Sequence, residues 1–279
     1  MKKLFAQFVP LIYGQYFNFL ALLSQKAAAT NAFNVFCVVR KGRIQPQQEG
    51  YLNQAKYTAE TISDHKIQLY RWKGTGSKVL LLHGWESNTF RWRNLVRNLQ
   101  AANFDIFAFD GPGHGYSSGN KMHVPLYAAC EQHIITKYNP RFVIGHSVGG
   151  MTALYNEYKN PNSSVERIVT IGSPSEFSDI MKHFQRLLNF NNRVMAALDG
   201  FVQDHFGFTI QEFSTSKFVK TNAKKGLLIH DELDAVAPVA ASEQVHANWS
   251  GSRLLKTSGL GHSMHQEEVN ESIISFLQG

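Results

Sequence analysis

RFVIGHSVGGMTALYNEY, residues 141–158, runs a short apolar strand directly into a helix, and Ser147 stands at the join. Gly145 lies two residues before it and Gly149 two after. A tight turn that needs small residues would account for the glycines alone. A nucleophile raised on a strained corner accounts for the serine as well. The glycines relieve the crowding of such a corner, the hydroxyl stands above the sheet edge, and the helix N-terminus behind it favours developing negative charge. This motif is specific only between a buried strand and a helix, and the sequence pattern supplies both.

Outward from this stretch the same kind of apolar run recurs. KVLLLHG (78–84), FDIFAFD (104–110), ERIVTIGS (166–173) and KGLLIHD (225–231) read as strands buried on both faces. Helical spacing over 91–102, 126–138 and 151–160 separates most of them, and a last strand over 252–257 precedes a helix over 267–277. Strands alternating with helices of this length predict a parallel sheet with right-handed crossovers, covered on both faces. Upstream, 27–37 and 47–56 read as helical, with a turn at 40–43. Residues 57–62 and 66–72 alternate polar and apolar, as suits an exposed antiparallel edge. The expected class is α/β, with a mostly parallel eight-stranded sheet.

One connection is too long for a simple crossover. Between Ile171 and Leu227 lie some fifty residues with two helical apolar series: Phe177, Met181, Phe184 and Leu188, then Val194, Leu198, Phe201 and Val202. They predict a helical lid over 175–222, inserted into a core formed by 57–174 and 223–279. Packing alone would explain its aromatic residues. Phe184, Phe201, Phe206 and Phe208 could also wall an acyl chain.

The first thirty residues, MKKLFAQFVPLIYGQYFNFLALLSQKAAAT, begin with two lysines and an apolar run. Gln7, Pro10, Gly14, Gln15 and Asn18 interrupt that run, which weakens both a cleaved signal and a membrane span. Three readings stay open: a helix docked on the domain, a peripheral membrane contact through residues 4–23, and a cleaved signal. Residues 1–56 are expected to form an N-terminal helical segment, packed on the core or facing a membrane. The expected location is the cytoplasm, with membrane association as the alternative.

Composition narrows the function. Of 279 residues, 43% are hydrophobic and 18% charged, as in a globular chain. The net charge of +7 is scattered, and Arg91, Arg93 and Arg97 are spaced like the outer face of a helix, so no nucleic-acid partner is expected. Cys37 and Cys130 lie in apolar surroundings and make no disulfide framework. No histidine pair has metal-ligand spacing, and neither a metal nor another cofactor is expected.

A serine nucleophile needs a base, and the base an orienting acid, on loops at the carboxyl ends of the strands. HDELDAVAP offers Asp231 and Asp234 directly after a buried strand. SGLGHSMH offers His262 and His265, and Gly259 and Gly261 around the former favour it. An oxyanion hole is expected from two backbone N–H groups, that of Val148 at the helix start and that of Trp85 after Gly84. His83, His146 and His114 read as loop-shaping residues, and Asp110 as a brace for the Gly-rich loop after it.

These residues together resemble the α/β-hydrolase fold family, in its serine carboxylesterase and lipase-like branch. The likeness rests on His83-Gly84-Trp85, the loop Asp110–Gly115, GHSVGG, HDELDAVAP and GLGHS, and it covers 57–279. It implies Ser147 as nucleophile, Asp234 as acid and His262 as base, with Trp85 and Val148 forming the hole. It implies a carboxylic ester substrate, small or medium and apolar in its acyl part, and no cofactor. Serine at 147 sets aside the aspartate-nucleophile branches, haloalkane dehalogenases and epoxide hydrolases. The same triad would serve a thioesterase, an acyltransferase, a perhydrolase or a C–C hydrolase, and the fold alone could serve a binder of apolar ligands. The resemblance says little of the residues before about 27.

Overall fold

A computed structural model describes residues 2–162 and 164–279, with residues 2–7 described by backbone alone. Its chain divides into two compact units, one of residues 39–175 with 215–279, the other of residues 2–38 with 176–214.

The larger unit is built on one eight-stranded sheet. Its strands are β1 (Lys56–Ile62), β2 (His65–Trp72), β3 (Lys78–Leu82), β4 (Asp105–Phe109), β5 (Phe142–His146), β6 (Arg167–Ile171), β7 (Lys225–Asp231) and β8 (Ser252–Thr257). They lie in the order β1-β2-β4-β3-β5-β6-β7-β8, with β1–β2 and β2–β4 antiparallel and all other pairs parallel. The period-2 alternation of strand side chains divides the apolar residues between two layers. Val79, Leu81, Ile106, Ile144 and Val169 face one way, with Leu95 and Leu99, and with Val269 and Ile273. Leu80, Leu82, Phe107, Val143 and Ile168 face the other, with Tyr127 and Ile134, and with Leu154 and Val245. Both faces are therefore covered, which is why the central strands read as unbroken apolar runs.

The predicted antiparallel edge is one strand narrower than the sequence suggests. β1 is exposed along most of its length, but β2 lies between β1 and β4 and buries Ile67, Leu69, Tyr70 and Trp72. β2 reaches both core layers, with Ile67 and Leu69 on one face and Tyr70 and Trp72 on the other, and Lys66, Gln68 and Arg71 between them hide this position in the sequence.

The smaller unit holds α1 (Lys2–Leu23) and α2 (Gln25–Cys37). Ser24 between them caps α2 by accepting from the Ala27 N–H at 3.2 Å. In the larger unit follow α3 (Pro46–Leu52), α4 (Arg93–Ala101), α5 (Val124–Tyr138) and α6 (Val148–Lys159). The insertion supplies α7 (Phe177–Leu188) and α8 (Asn192–Phe206) to the smaller unit, before α9 (Thr215–Phe218), α10 (Ala240–Asn248) and α11 (Glu267–Gln278) return to the larger.

The N-terminal helices and the insertion helices share one apolar core. Phe17, Ala21, Ala28 and Phe33 pack with Met181, Leu188, Val194 and Leu198. At Gly14 a Cβ would lie 1.7 Å from the Leu188 carbonyl oxygen, so α1 and α7 touch backbone to backbone. The insertion's aromatic residues are engaged inside this unit. Phe36 meets Phe184 edge-on at 5.2 Å, Phe33 meets Phe201 at 5.1 Å and Phe206 at 5.6 Å, and Phe208 packs on Phe206 and Phe213. The break after the N-terminal part thus falls at residue 38, against 56 read from the sequence. Leu52 of α3 joins a core layer of the larger unit. The insertion's share runs 176–214, against 175–222.

No helix among the described residues is long and apolar enough to cross a membrane. Of the stretch 4–23, the side chains of residues 4–7 lie outside the described residues.

Candidate active site

The corner after β5 is strained where the sequence places the serine. Ser147 has φ 53° and ψ −122°, a backbone that non-glycine residues rarely adopt. Its N–H donates to the Ile171 carbonyl at 2.8 Å, locking the corner to the end of β6. The neighbouring glycines are there because nothing larger fits. A Cβ on Gly145 would lie 2.4 Å from the Gly149 carbonyl carbon, and one on Gly149 would lie 2.3 Å from the Leu82 carbonyl oxygen.

The loop after β3 passes beside this corner. A Cβ on Gly84 would come within 3.1 Å of Ser147 Cβ. His83, fully buried, accepts from the Gly111 N–H at Nε2 (2.8 Å), so its Nδ1 carries the proton and donates to the Gly84 carbonyl at 2.7 Å. That bond orients the Gly84–Trp85 peptide. Among the described residues the Trp85 N–H has no partner. Val148 opens α6, so its N–H has no intrahelical acceptor. Burial, the larger cause, pulls the His83 imidazole down to about 4, the Gly84 carbonyl opposing it, and the ring is neutral at pH 7.

Two further loops meet at the same edge. His262 Nδ1 and Asp234 Oδ2 are 2.7 Å apart, and Asp234 Oδ1 accepts from the Val236 and Ala237 N–H groups at 2.8 and 3.0 Å. His262 therefore donates from Nδ1 to a held carboxylate, leaving Nε2 as the basic nitrogen. Gly172, at φ 55° after β6, lies against this pair, since a Cβ there would be 3.3 Å from His262 Nδ1 and 3.4 Å from Asp234 Oδ2. Ser147 is bonded to the preceding residue, and the rings of His146 and His262 lie 4.9 Å apart. The ends of β5, β6, β7 and β8 thus bring Ser147, Asp234 and His262 to one edge.

The alternatives stand elsewhere. Asp231 accepts from the Leu233 N–H, the Thr257 hydroxyl and the Leu260 N–H, fastening the loops after β7 and β8 to each other. His265 offers its carbonyl to Asn94, and burial first, then Arg91, pulls its ring down to about 4. Asp110 is fully buried and accepts from the Tyr70 hydroxyl and from the Thr89 and Tyr116 N–H groups. His114 donates to the Pro112 carbonyl and accepts from the Glu86 N–H, which shapes both loops.

Two contributors are not evident from the sequence. His230 lies behind Asp234, with Nε2 3.4 Å from Oδ2 and 2.9 Å from the Ala237 carbonyl, and with Nδ1 2.6 Å from Ser242 Oγ. A histidine ending an apolar strand was the available signal. Arg91, predicted on an outward helix face, is instead buried in a 3₁₀ turn (Thr89–Trp92) ahead of α4. It donates to the Ser263 carbonyl at 2.8 Å, and burial pulls its guanidinium down to about 9. Spacing alone cannot distinguish a turn residue from the first residue of the helix after it. No cluster of three His, Cys, Asp or Glu among the described residues could hold a metal ion.

The sheet order, the strained serine and the converging loops define an α/β hydrolase, and a family model described as alpha/beta hydrolase fold matches residues 78–225. The chain belongs to that family. Among its relatives, a pimeloyl-[acyl-carrier protein] methyl ester esterase of Edwardsiella ictaluri is 31% identical over 127 residues, which are 41% of this chain and 48% of that protein. The human monoglyceride lipase is 29% identical over 32% of this chain and 34% of its own length. The chain spans about half or less of the curated relatives it matches. An esterase from Exiguobacterium antarcticum shares the fold with TM-score 0.64 at 18% identity, covering 80% of this chain and 100% of that one.

Proposed function

We propose that this protein is a serine hydrolase that cleaves carboxylic esters through an acyl-enzyme. The observation that carries the reading is the 2.7 Å pairing of His262 Nδ1 with the buried Asp234, across the edge where Ser147 sits strained. Both relatives are named for ester cleavage, which supports the same class of substrate.

In this mechanism His262 Nε2 takes the Ser147 hydroxyl proton as Oγ attacks the ester carbonyl carbon. The carbonyl π electrons move to oxygen, and the Trp85 and Val148 N–H groups stabilise that oxyanion. Asp234 holds the imidazole tautomer and stabilises the imidazolium. Collapse of the intermediate expels the alkoxide, which takes the proton from His262, and the acyl group stays on Ser147. A water then repeats the sequence and releases the acid. The acyl part is proposed to be small or medium and apolar.

The test is hydrolysis of p-nitrophenyl esters from acetate to palmitate, beside labelling by a fluorophosphonate probe. Activity and labelling that vanish in Ser147→Ala support the reading, and the chain-length optimum defines the acyl group. Labelling without ester turnover would move the reading to a thioesterase or acyltransferase. Neither labelling nor turnover in wild type would remove it.

A further inference from the structure

Helix α1 buries one narrow face and leaves the opposite one apolar. Gly14, Phe17 and Ala21, spaced three and four apart, are buried against the smaller unit's core. On the other side Phe8, Ile12, Tyr16, Phe19 and Leu23 follow one another at intervals of four, four, three and four. Their exposures are 54, 61, 46, 61 and 71%. At helical spacing these five form one stripe, roughly 22 Å long from end to end. A contiguous apolar strip of this kind on an ordered helix marks a surface that is covered in use.

The charge around the stripe selects what covers it. Residues 1–38 hold Lys2, Lys3 and Lys26 and no carboxylate, and the first acidic residue of the chain is Glu49. In the sequence, Lys2 and Lys3 precede the stripe and Lys26 follows it. A second copy would set this segment, whose only charged side chains are lysines, against itself, like charge against like. An anionic lipid surface meets the same lysines with opposite charge. Tyr13 and Tyr16, both half exposed, combine an apolar ring with a hydroxyl, which suits the level of the headgroups. Since no described helix is long and apolar enough to span, the contact is one that lies along the surface.

We propose that the exposed stripe of α1 docks this protein on an anionic bilayer, with the helix in the plane of the interface. The backbone contact at Gly14 and the burial of Phe17 and Ala21 hold the helix in place beforehand, so little ordering is left to oppose docking. The proposal stands apart from the ester-cleaving reading, because it needs neither Ser147 nor a substrate.

The test is flotation of the full chain with phosphatidylcholine vesicles and with the same vesicles carrying phosphatidylglycerol. The expected result is preference for the anionic vesicles, weakened by salt and lost about tenfold or more in Ile12→Glu/Phe19→Glu. Lys2→Glu/Lys3→Glu should weaken the anionic preference alone. Both substituted apolar positions are mostly exposed, so an unchanged melting curve would show that the variant folds. Ser147→Ala should float like wild type, which separates this outcome from any failure of the catalytic reading. Absence of flotation with anionic vesicles overturns the proposal, as does equal flotation of the glutamate variant. A concentration-dependent dimer that Ile12→Glu/Phe19→Glu dissolves, without flotation, would assign the stripe to a second copy instead.

Discussion

His146 donates from Nε2 to the main-chain carbonyl of His262 at 2.9 Å, so the residue before the serine grips the peptide of the histidine proposed as the base. A carbonyl can only accept, and the proton therefore sits on Nε2. Burial above all, then Arg91, holds the ring far below the usual histidine range, while its Nδ1 has no partner among the described residues. Arg91 grips the next carbonyl, that of Ser263. His146→Ala is expected to lower kcat by roughly 10–100-fold with KM little changed, because a misplaced base costs rate before binding. His146→Gln, which keeps a donor, should recover part of the loss. Steady-state kinetics on a short ester decides it, and an equal loss in both variants would count against the positioning role.

Asp234 and Asp231 are three residues apart and should fail differently. Asp234→Asn removes the acceptor for His262 Nδ1, and kcat should fall on the order of 10⁴-fold while the melting temperature moves little. Asp231→Asn instead weakens the bonds from Leu233, Thr257 and Leu260, and should cost about 1–3 kcal/mol of stability. Parallel kinetics and melts of the two variants separate the roles. A larger rate loss in the Asp231 variant would reverse the assignment.

Acid should destabilise the protein through its buried histidines. Burial pulls His83 and His123 down to about 4 and His114 to about 3. A folded-state value below the ordinary 6.5 means that the unfolded chain binds the proton first. The stability held by these neutral rings is full above pH 6.5 and declines as pH falls toward 4. The melting temperature should therefore drop between pH 6.5 and 5, with proton uptake on unfolding measured by calorimetry in two buffers. A flat profile over that interval would contradict the buried neutral state.

Glu131 of α5 has the opposite sign. Burial first, and Glu157 second, raise its carboxyl well above the ordinary value, Asn156 opposing them, and its Oε2 has no partner among the described residues. Such a group costs nothing below pH 4.5 and erodes stability as pH rises toward its folded value. Glu131→Gln should raise the melting temperature at pH 8 by roughly 2–4 °C and leave it unchanged near pH 4. Melts at the two pH values test this, and a gain at both would point to packing instead.

The local sequence determined what depends on local order. Apolar runs such as KVLLLHG and RFVIGHS announce strands buried on both faces, because a side-chain period of two fills two layers at once. The corner at Ser147 is equally local: strand, glycine, serine, glycine and helix leave the backbone only one cramped path. Chain order placed Asp231, Asp234, His262 and His265 on the right loops. Within each pair the glycines around His262 and the family resemblance at Asp234 favoured one member, but no local pattern shows which distant residue each one touches. Only the tertiary structure decided that Asp234 meets His262 while Asp231 fastens two loops together. It likewise decided that Arg91 turns inward, that β2 lies inside β1, and that α1 and α2 share a core with residues from 176 to 214. Periodicity reports that a face must be buried but not against what, and these partners lie tens to hundreds of residues away.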